Sequence, residues 1–254
     1  MRIATWNVNS LKVRLPHVLD WLKANPVDVL CLQETKQQDE DFPQDDIQAA
    51  GYHSVFSGQK TYNGVAILSR EKAVDEQHGI PGLEDDQKRV IAATFGDIRV
   101  VNVYVPNGQT VDSDKYYYKL KWLDGLRNWL KEELTRYPKL AVLGDYNIAP
   151  EDRDVHDPVV WQGNVLVSEA ERIHFRNLTK LGLHDSFRMF EQPEKSFTWW
   201  DYRMMAFRRN HGLRIDHILI SEALVAQCKS CVIDKAPRKL ERPSDHTPVV
   251  VELL

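Results

Sequence analysis

LAVLGDYNIAP, from Leu140 to Pro150, is an apolar run that stops abruptly at Asp145 and Asn147 and is then broken by proline. Short runs of Val, Ile and Leu bounded by turn residues read as buried strands. The same shape recurs in RIATWNV from Arg2, VDVLCLQ from Val27, GVAILS from Gly64, IDHILIS from Ile215 and PVVVEL from Pro248. VIAATFGDIRVVNVYV from Val90 reads as a hairpin with Gly96 and Asp97 at its turn. Helical spacing lies between these runs. Leu15, Val18, Leu19 and Leu22 share one face before Asn25 and Pro26, and Leu120, Leu123, Leu126, Leu130 and Leu134 share another that stops before Pro138. A third helix is expected from Glu169 to Leu181, with Gly182 as its stop. No low-complexity linker divides the chain, so the pattern predicts one α/β domain, its two halves packed sheet against sheet under outer helices.

Polar residues fall at informative places in this pattern. Asn7 ends the first apolar run and Glu34 follows the second. Asp145 and Asn147 close the Leu140 run, Asp216 sits inside another, and Asp245 and His246 precede the last. A carboxylate at the end of a buried strand is costly unless something pairs with it, and a single one is most often a cap or a turn. Several on separate strands point to one rim, because strand ends in a layered fold converge. Carboxylate and amide oxygens, without Cys or paired His, suit a hard cation such as Mg²⁺ or Mn²⁺. Beside such an ion, one carboxylate can activate water, and an imidazole held by another can donate to a phosphoryl oxygen.

Composition sets the frame. In a chain of 254 residues roughly 70–75% of the extended-chain surface can be buried, so the core needs no staples. The three cysteines, Cys31, Cys228 and Cys231, make a disulfide framework improbable, and the lone CxxC at Cys228 and Cys231 has no partner ligands for a zinc site. MRIATWNVNS lacks the apolar stretch of a signal peptide, and no run is long enough to cross a bilayer, so a cytoplasmic location is expected. The net charge of −4 speaks against a general nucleic-acid-coating protein. It does not speak against a nuclease whose carboxylates gather round a cation while Lys and Arg line a groove.

The residues also carry a family resemblance. TWNVNSL from Thr5, LQETK from Leu32, YNGVAILS from Tyr62, NVYVPNG from Asn102, GDYNIAP from Gly144, TWWDYR from Thr198, GLRIDHIL from Gly212 and PSDHTPV from Pro243 resemble, in order, the signature motifs of exonuclease III and the abasic-site endonucleases. LQET, GDxN and SDHxP are shared with the wider endonuclease, exonuclease and phosphatase superfamily, whereas GLRID and TWWDYR favour its DNA-repair branch. The resemblance implies a four-layer α/β sandwich, two packed mixed β-sheets flanked by helices, spanning residues 1–254 as a single catalytic domain. It implies a monomeric Mg²⁺-dependent phosphodiesterase, with Mn²⁺ as possible substitute. The expected substrate is nicked, 3′-blocked or abasic double-stranded DNA.

Roles follow residue by residue from that resemblance. Glu34 is expected as the main metal ligand, Asn7 beside it, and Asp245 as a further ligand or a partner of one. Asp145 would activate the attacking water, and Asn147 would assist and touch the phosphate. His246 would hydrogen-bond the scissile phosphate while Asp216 fixes its tautomer. Tyr104 and Asn107 would reach the phosphate from the end of the hairpin. Lys119 would match a phosphate-contacting lysine, and Trp199, Leu213 and Ile215 an apolar pocket for the sugar. Arg214 joins Lys88, Arg89, Arg203, Arg208, Arg209 and the Lys239 to Arg242 stretch as candidate phosphate contacts. Leu166 either packs inward as a core anchor or, as expected here, lies on the rim and partly restricts abasic entry.

The remaining histidines lack a partner at ligand spacing, and His217 should face away from Asp216, its neighbour on a strand. Trp200 fits simple core as well as it fits a ligand contact. Ser10 stands where the family often has Gly, and Leu213 where some relatives have Trp. Two other classes compete. A non-enzymatic regulator or RNA-binding protein on the same fold would have lost acidic positions that are all present here. A phosphatase of inositol or sphingolipid head groups would carry recognition loops other than GLRID and TWWDYR.

Overall fold

A computed structural model describes residues 1–254. The first half runs β1 (Arg2–Asn7), α1 (Leu11–Ala24), β2 (Val29–Gln33), α2 (Gln44–Ala49), β3 (His53–Ser57) and β4 (Val65–Ser69). The chain then crosses to β5 (Val74–His78), β6 (Val90–Phe95), β7 (Ile98–Tyr104), α3 (Asp114–Arg136) and β8 (Leu140–Asp145). After α4 (Pro158–Trp161) and α5 (Glu169–Thr179) come β9 (Leu183–Asp185), β10 (Trp199–Trp200), β11 (Gly212–Leu213) and β12 (Asp216–Ser221). The chain closes with α6 (Glu222–Val225), β13 (Cys228–Ile233) and β14 (Val249–Leu253). Two mixed six-stranded sheets result, ordered β13-β14-β1-β2-β4-β3 and β5-β6-β7-β8-β12-β9, with β10 and β11 as a separate ribbon.

Strand parity decides where each side chain goes, because successive residues point to opposite faces. Ile3, Val29, Cys31, Ile67, Ile91, Ala93, Val100, Ala141, Leu143, Ile218 and Ile220 meet between the two sheets. Their neighbours Ala4, Trp6, Leu30, Leu32 and Leu68 pack outward under α1 and α2. On the other side Val101, Val103, Leu140, Val142 and Leu219 pack under α3 and α5. Three apolar seams therefore separate four layers, as the resemblance implies. No helix is long and apolar enough to cross a membrane.

The hairpin forms as read, with Phe95 opposite Ile98 across the two-residue turn. The helices end within a few residues of their expected stops. The buried stripe of α3, however, is rotated from the leucine face read in the sequence. It runs through Tyr116, Lys119, Trp122, Leu123, Leu126, Trp129, Leu130 and Glu133, and Leu120 and Leu134 are only partly covered. Tryptophans take the inner positions, and two charged residues share them. Each has a buried counter-ion, Glu133 with Arg99 and Lys119 with Glu171.

Candidate active site

The parity that builds the core also builds the site. Asn7 continues the inward row of Ile3, Asp145 that of Ala141 and Leu143, and Asp216 that of Ile218 and Ile220. β8 and β12 are antiparallel with Asp216 directly opposite Asp145, and β7 sets Tyr104 beside Asp145. The carboxylates thus emerge at one end of the inter-sheet seam. Gly144 is required there, because a Cβ on it would lie 1.8 Å from the carbonyl oxygen of Val103. Glu34 adopts left-handed backbone, φ 52°, which is uncommon for a glutamate, and Asn147 does so at φ 49°, a region that asparagine enters readily.

Asn7 is expected as an oxygen ligand but is turned the other way. Its Nδ2 donates to Glu34 Oε2 at 2.7 Å and to Asp145 Oδ2 at 2.8 Å, while its Oδ1 accepts from the Asn9 amide at 3.0 Å. It is a brace that fixes the spacing of two carboxylates. Asp145 Oδ1 accepts from the backbone N–H of Asn147 at 2.9 Å, and Asn147 Nδ2 donates to the Val105 carbonyl at 2.9 Å. Asn107 Nδ2 donates to Asn147 Oδ1 at 3.3 Å, which ties the two side chains together. Asp245 accepts from Asn9 Nδ2 at 3.2 Å and from the Trp199 indole at 3.0 Å.

His246 Nδ1 lies 2.9 Å from Asp216 Oδ2, and its Nε2 faces Asp145 Oδ2 at 3.6 Å. Burial alone would lower its pKa, but Asp216 and then Asp145 outweigh burial and raise it to about 10. The two carboxylates favour the protonated ring, which stands with Glu34 and Asp145 in a cluster whose donor atoms lie within 4.8 Å of one another. Burial first, with Asp216 and Glu34 adding to it and His246 opposing, pushes Asp145 up to about 7. Asp216 Oδ1 is buried without a hydrogen-bond partner.

Crowded carboxylates of this kind fit a cation. A divalent ion at Glu34 fits this corner, where Glu34, Asp145 and His246 bring donor atoms within 4.8 Å of one another. Lys36 Nζ, bonded to Asn9 Oδ1 at 2.6 Å and 3.7 Å from Glu34, belongs to this corner. Its place at the end of the LQETK motif is the sequence signal for it. Thr198 Oγ1 accepts from the backbone N–H groups of Ile215 at 3.0 Å and Asp216 at 3.1 Å and so anchors the start of β12.

Four expectations fail for one reason, which is burial. Lys119 is fully buried against Glu171 and contacts no surface on which a phosphate could sit. Arg214 is enclosed by Asp154 and Asp185, to which it donates at 2.7 Å each, so it is a structural cation. Leu213 and Ile215 are 0% and 1% exposed, and of the expected sugar pocket only Trp199 keeps an open face. Leu166 is 5% exposed and packs inward on Ala149, Val155, Leu213 and Ile215; it is not a rim residue. Trp200 is core, His217 faces the α3 and α5 side, and the cysteines are free thiols.

Known proteins share the sequence pattern and the fold of this chain. The sequence model described as Endonuclease/Exonuclease/phosphatase family matches residues 4–246. A curated relative, exodeoxyribonuclease III of Haemophilus influenzae, is 36% identical over 267 aligned residues, covering 99% of each chain. The solved structure of the 3′ phosphatase NExo from Neisseria, bound to a product DNA hairpin, is 50% identical. It superposes with a TM-score of 0.98 over 100% of this chain and 99% of that one. An AP endonuclease from Archaeoglobus fulgidus is 41% identical, with a TM-score of 0.95 over 100% and 99% of the two chains.

Proposed function

The chain belongs to the Endonuclease/Exonuclease/phosphatase family, and from that premise we propose that it is a Mg²⁺-dependent DNA-repair phosphodiesterase. It acts as a monomer on duplex DNA at nicked, 3′-blocked or abasic sites, combining 3′→5′ exonuclease or 3′-end processing with abasic-site cleavage. Mn²⁺ serves as a substitute ion. The observation that carries this reading is the meeting of Glu34, Asp145, Asp216 and His246 at one end of the inter-sheet seam. The relatives named as exodeoxyribonuclease III, AP endonuclease and 3′ phosphatase support DNA as the substrate.

The residues divide the work. A water oxygen attacks phosphorus with its lone pair while Asp145 takes the water's proton. Burial and the neighbouring carboxylates raise its pKa above the ordinary carboxylate range, which suits a proton acceptor. The bond from phosphorus to the leaving sugar oxygen breaks, and that oxygen departs with the electron pair and is protonated from solvent. His246 donates from Nε2 to a non-bridging oxygen and stabilises charge that grows in the transition state. Asp216 holds the ring by Nδ1 and keeps it protonated. The amides of Asn147 and Asn107, with Tyr104, orient the phosphate beside Asp145. Glu34, braced by Asn7 and joined by Asp245, would hold the cation; polarising a phosphoryl oxygen is the chemistry such an ion supplies when bound.

The test is a substrate panel of nicked, abasic and 3′-phosphorylated duplexes and a phosphoinositide, each with Mg²⁺ and with EDTA. Hydrolysis confined to the DNA substrates and abolished by EDTA is expected. Turnover of the phosphoinositide in preference to DNA would overturn the reading.

A further inference from the structure

Lys119 has no place in the chemistry above, yet it is among the largest fully buried side chains in the molecule. Its Nζ donates to the carbonyl oxygens of Asn147 at 2.7 Å and Asn107 at 3.1 Å, and pairs with Glu171. Those carbonyls belong to the two residues whose side-chain amides orient the phosphate. They lie on separate loops, one after β7 and one after β8. Glu171 in turn accepts from the Leu166 amide at 3.0 Å and the Ser168 amide at 3.2 Å, at the start of α5. Gly108, at φ 90°, lets the first loop lie on the lysine stem, where a Cβ would sit 3.1 Å from Lys119 Cδ. One ammonium therefore fastens three backbone segments beneath the phosphate-facing amides.

We propose that Lys119 is a positioning residue, an ammonium that sets the height and angle of Asn107 and Asn147 for the phosphate without touching it. The proposal rests on the nuclease reading. An ammonium suits the task because its three donors match the two carbonyls and the one carboxylate around it. Burial pulls the ammonium below its ordinary pKa and Glu171 pulls it back, so the charge and its counter-ion come as a unit. Removing the lysine alone would strand a buried carboxylate and risk unfolding.

The informative variant is therefore Lys119→Met with Glu171→Gln, which removes both charges at nearly constant volume and keeps one of the two acceptor oxygens that serve Leu166 and Ser168. Glu171→Gln alone would leave the ammonium buried without its counter-ion and should melt well below wild type. Turnover is read on a nicked duplex with Mg²⁺. The double variant should melt cooperatively near wild type but lose about 10- to 100-fold in kcat, with KM and the Mg²⁺ midpoint little changed. The slope of log Kd against log salt should match wild type, whereas loss of a direct phosphate contact would lower it by about 0.9. A folded double variant with wild-type kcat, or a lowered salt slope, overturns the inference while leaving the nuclease reading intact. A wild-type protein inactive on every DNA substrate overturns both.

Discussion

Replacing His217 by Gln separates the roles of the two buried histidines near Asp216. His217 packs between Tyr146 and Phe175, with Nε2 on the Ile148 carbonyl at 2.8 Å and Nδ1 facing Arg214 at 3.1 Å. Burial, then Arg214, lower its pKa to about 4, with Asp185 and Asp154 opposing. A histidine in the unfolded chain titrates near pH 6.5, so on acidification the unfolded state takes the proton first. The stability due to neutral His217 is thus complete above about pH 6.5 and is lost as the pH falls toward 4. At pH 4.5 the loss is on the order of 2–3 kcal/mol, or roughly 5–10 °C in Tm for a chain of this size. Gln keeps one donor and one acceptor but does not titrate. Other groups titrate in both proteins, so the difference in Tm isolates His217. His217→Gln should melt a few degrees below wild type at pH 7.5, and the gap should close or reverse by pH 4.5. Turnover at pH 7.5 should stay near wild type. Parallel Tm profiles across this range would refute the neutral-core reading.

Glu34→Gln is nearly isosteric and should fold, but Mg²⁺ titrations of activity should show a weakened midpoint and reduced turnover. Wild-type turnover at limiting Mg²⁺ would remove Glu34 from the site. His246→Ala and Asp216→Asn should each lower kcat strongly, and together far less than additively, because they act through one contact of 2.9 Å. Leu166→Ser should cost about 2–5 kcal/mol in denaturant unfolding, since it empties part of a buried cluster. A stable variant with a raised ratio of abasic cleavage to exonuclease activity would restore Leu166 to the rim.

Much of the fold is legible in residue alternation. The inward rows of β1, β8 and β12 end in Asn7, Asp145 and begin with Asp216, so the period of two that marks these strands also predicts a shared rim. His217 follows from the same rule. What alternation does not encode is depth. Lys119, Arg214 and Leu166 look like surface residues by type or by loop context, and all three are buried through partners distant in sequence. Lys119 needs Glu171 and Arg214 needs Asp154 and Asp185, pairings that only the tertiary fold creates. One signal was available for Lys119, its helical spacing from Tyr116, Leu123 and Leu126, which puts it on the inner stripe of α3. The orientation of Asn7 is likewise a property of the network, because its amide is shared between Glu34 and Asp145.

The central claim is that Asp145, buried at the rim with Asn7, Asn147 and His246 around it, activates the water that cleaves a DNA phosphodiester. Single-turnover kinetics of Asp145→Asn on a nicked duplex, paired with a binding titration of the same duplex, tests it most directly. The account predicts a fall of about 10²- to 10⁴-fold in the chemical step with duplex affinity nearly unchanged. A variant that cleaves at the wild-type rate once bound, and has lost only affinity, would contradict it.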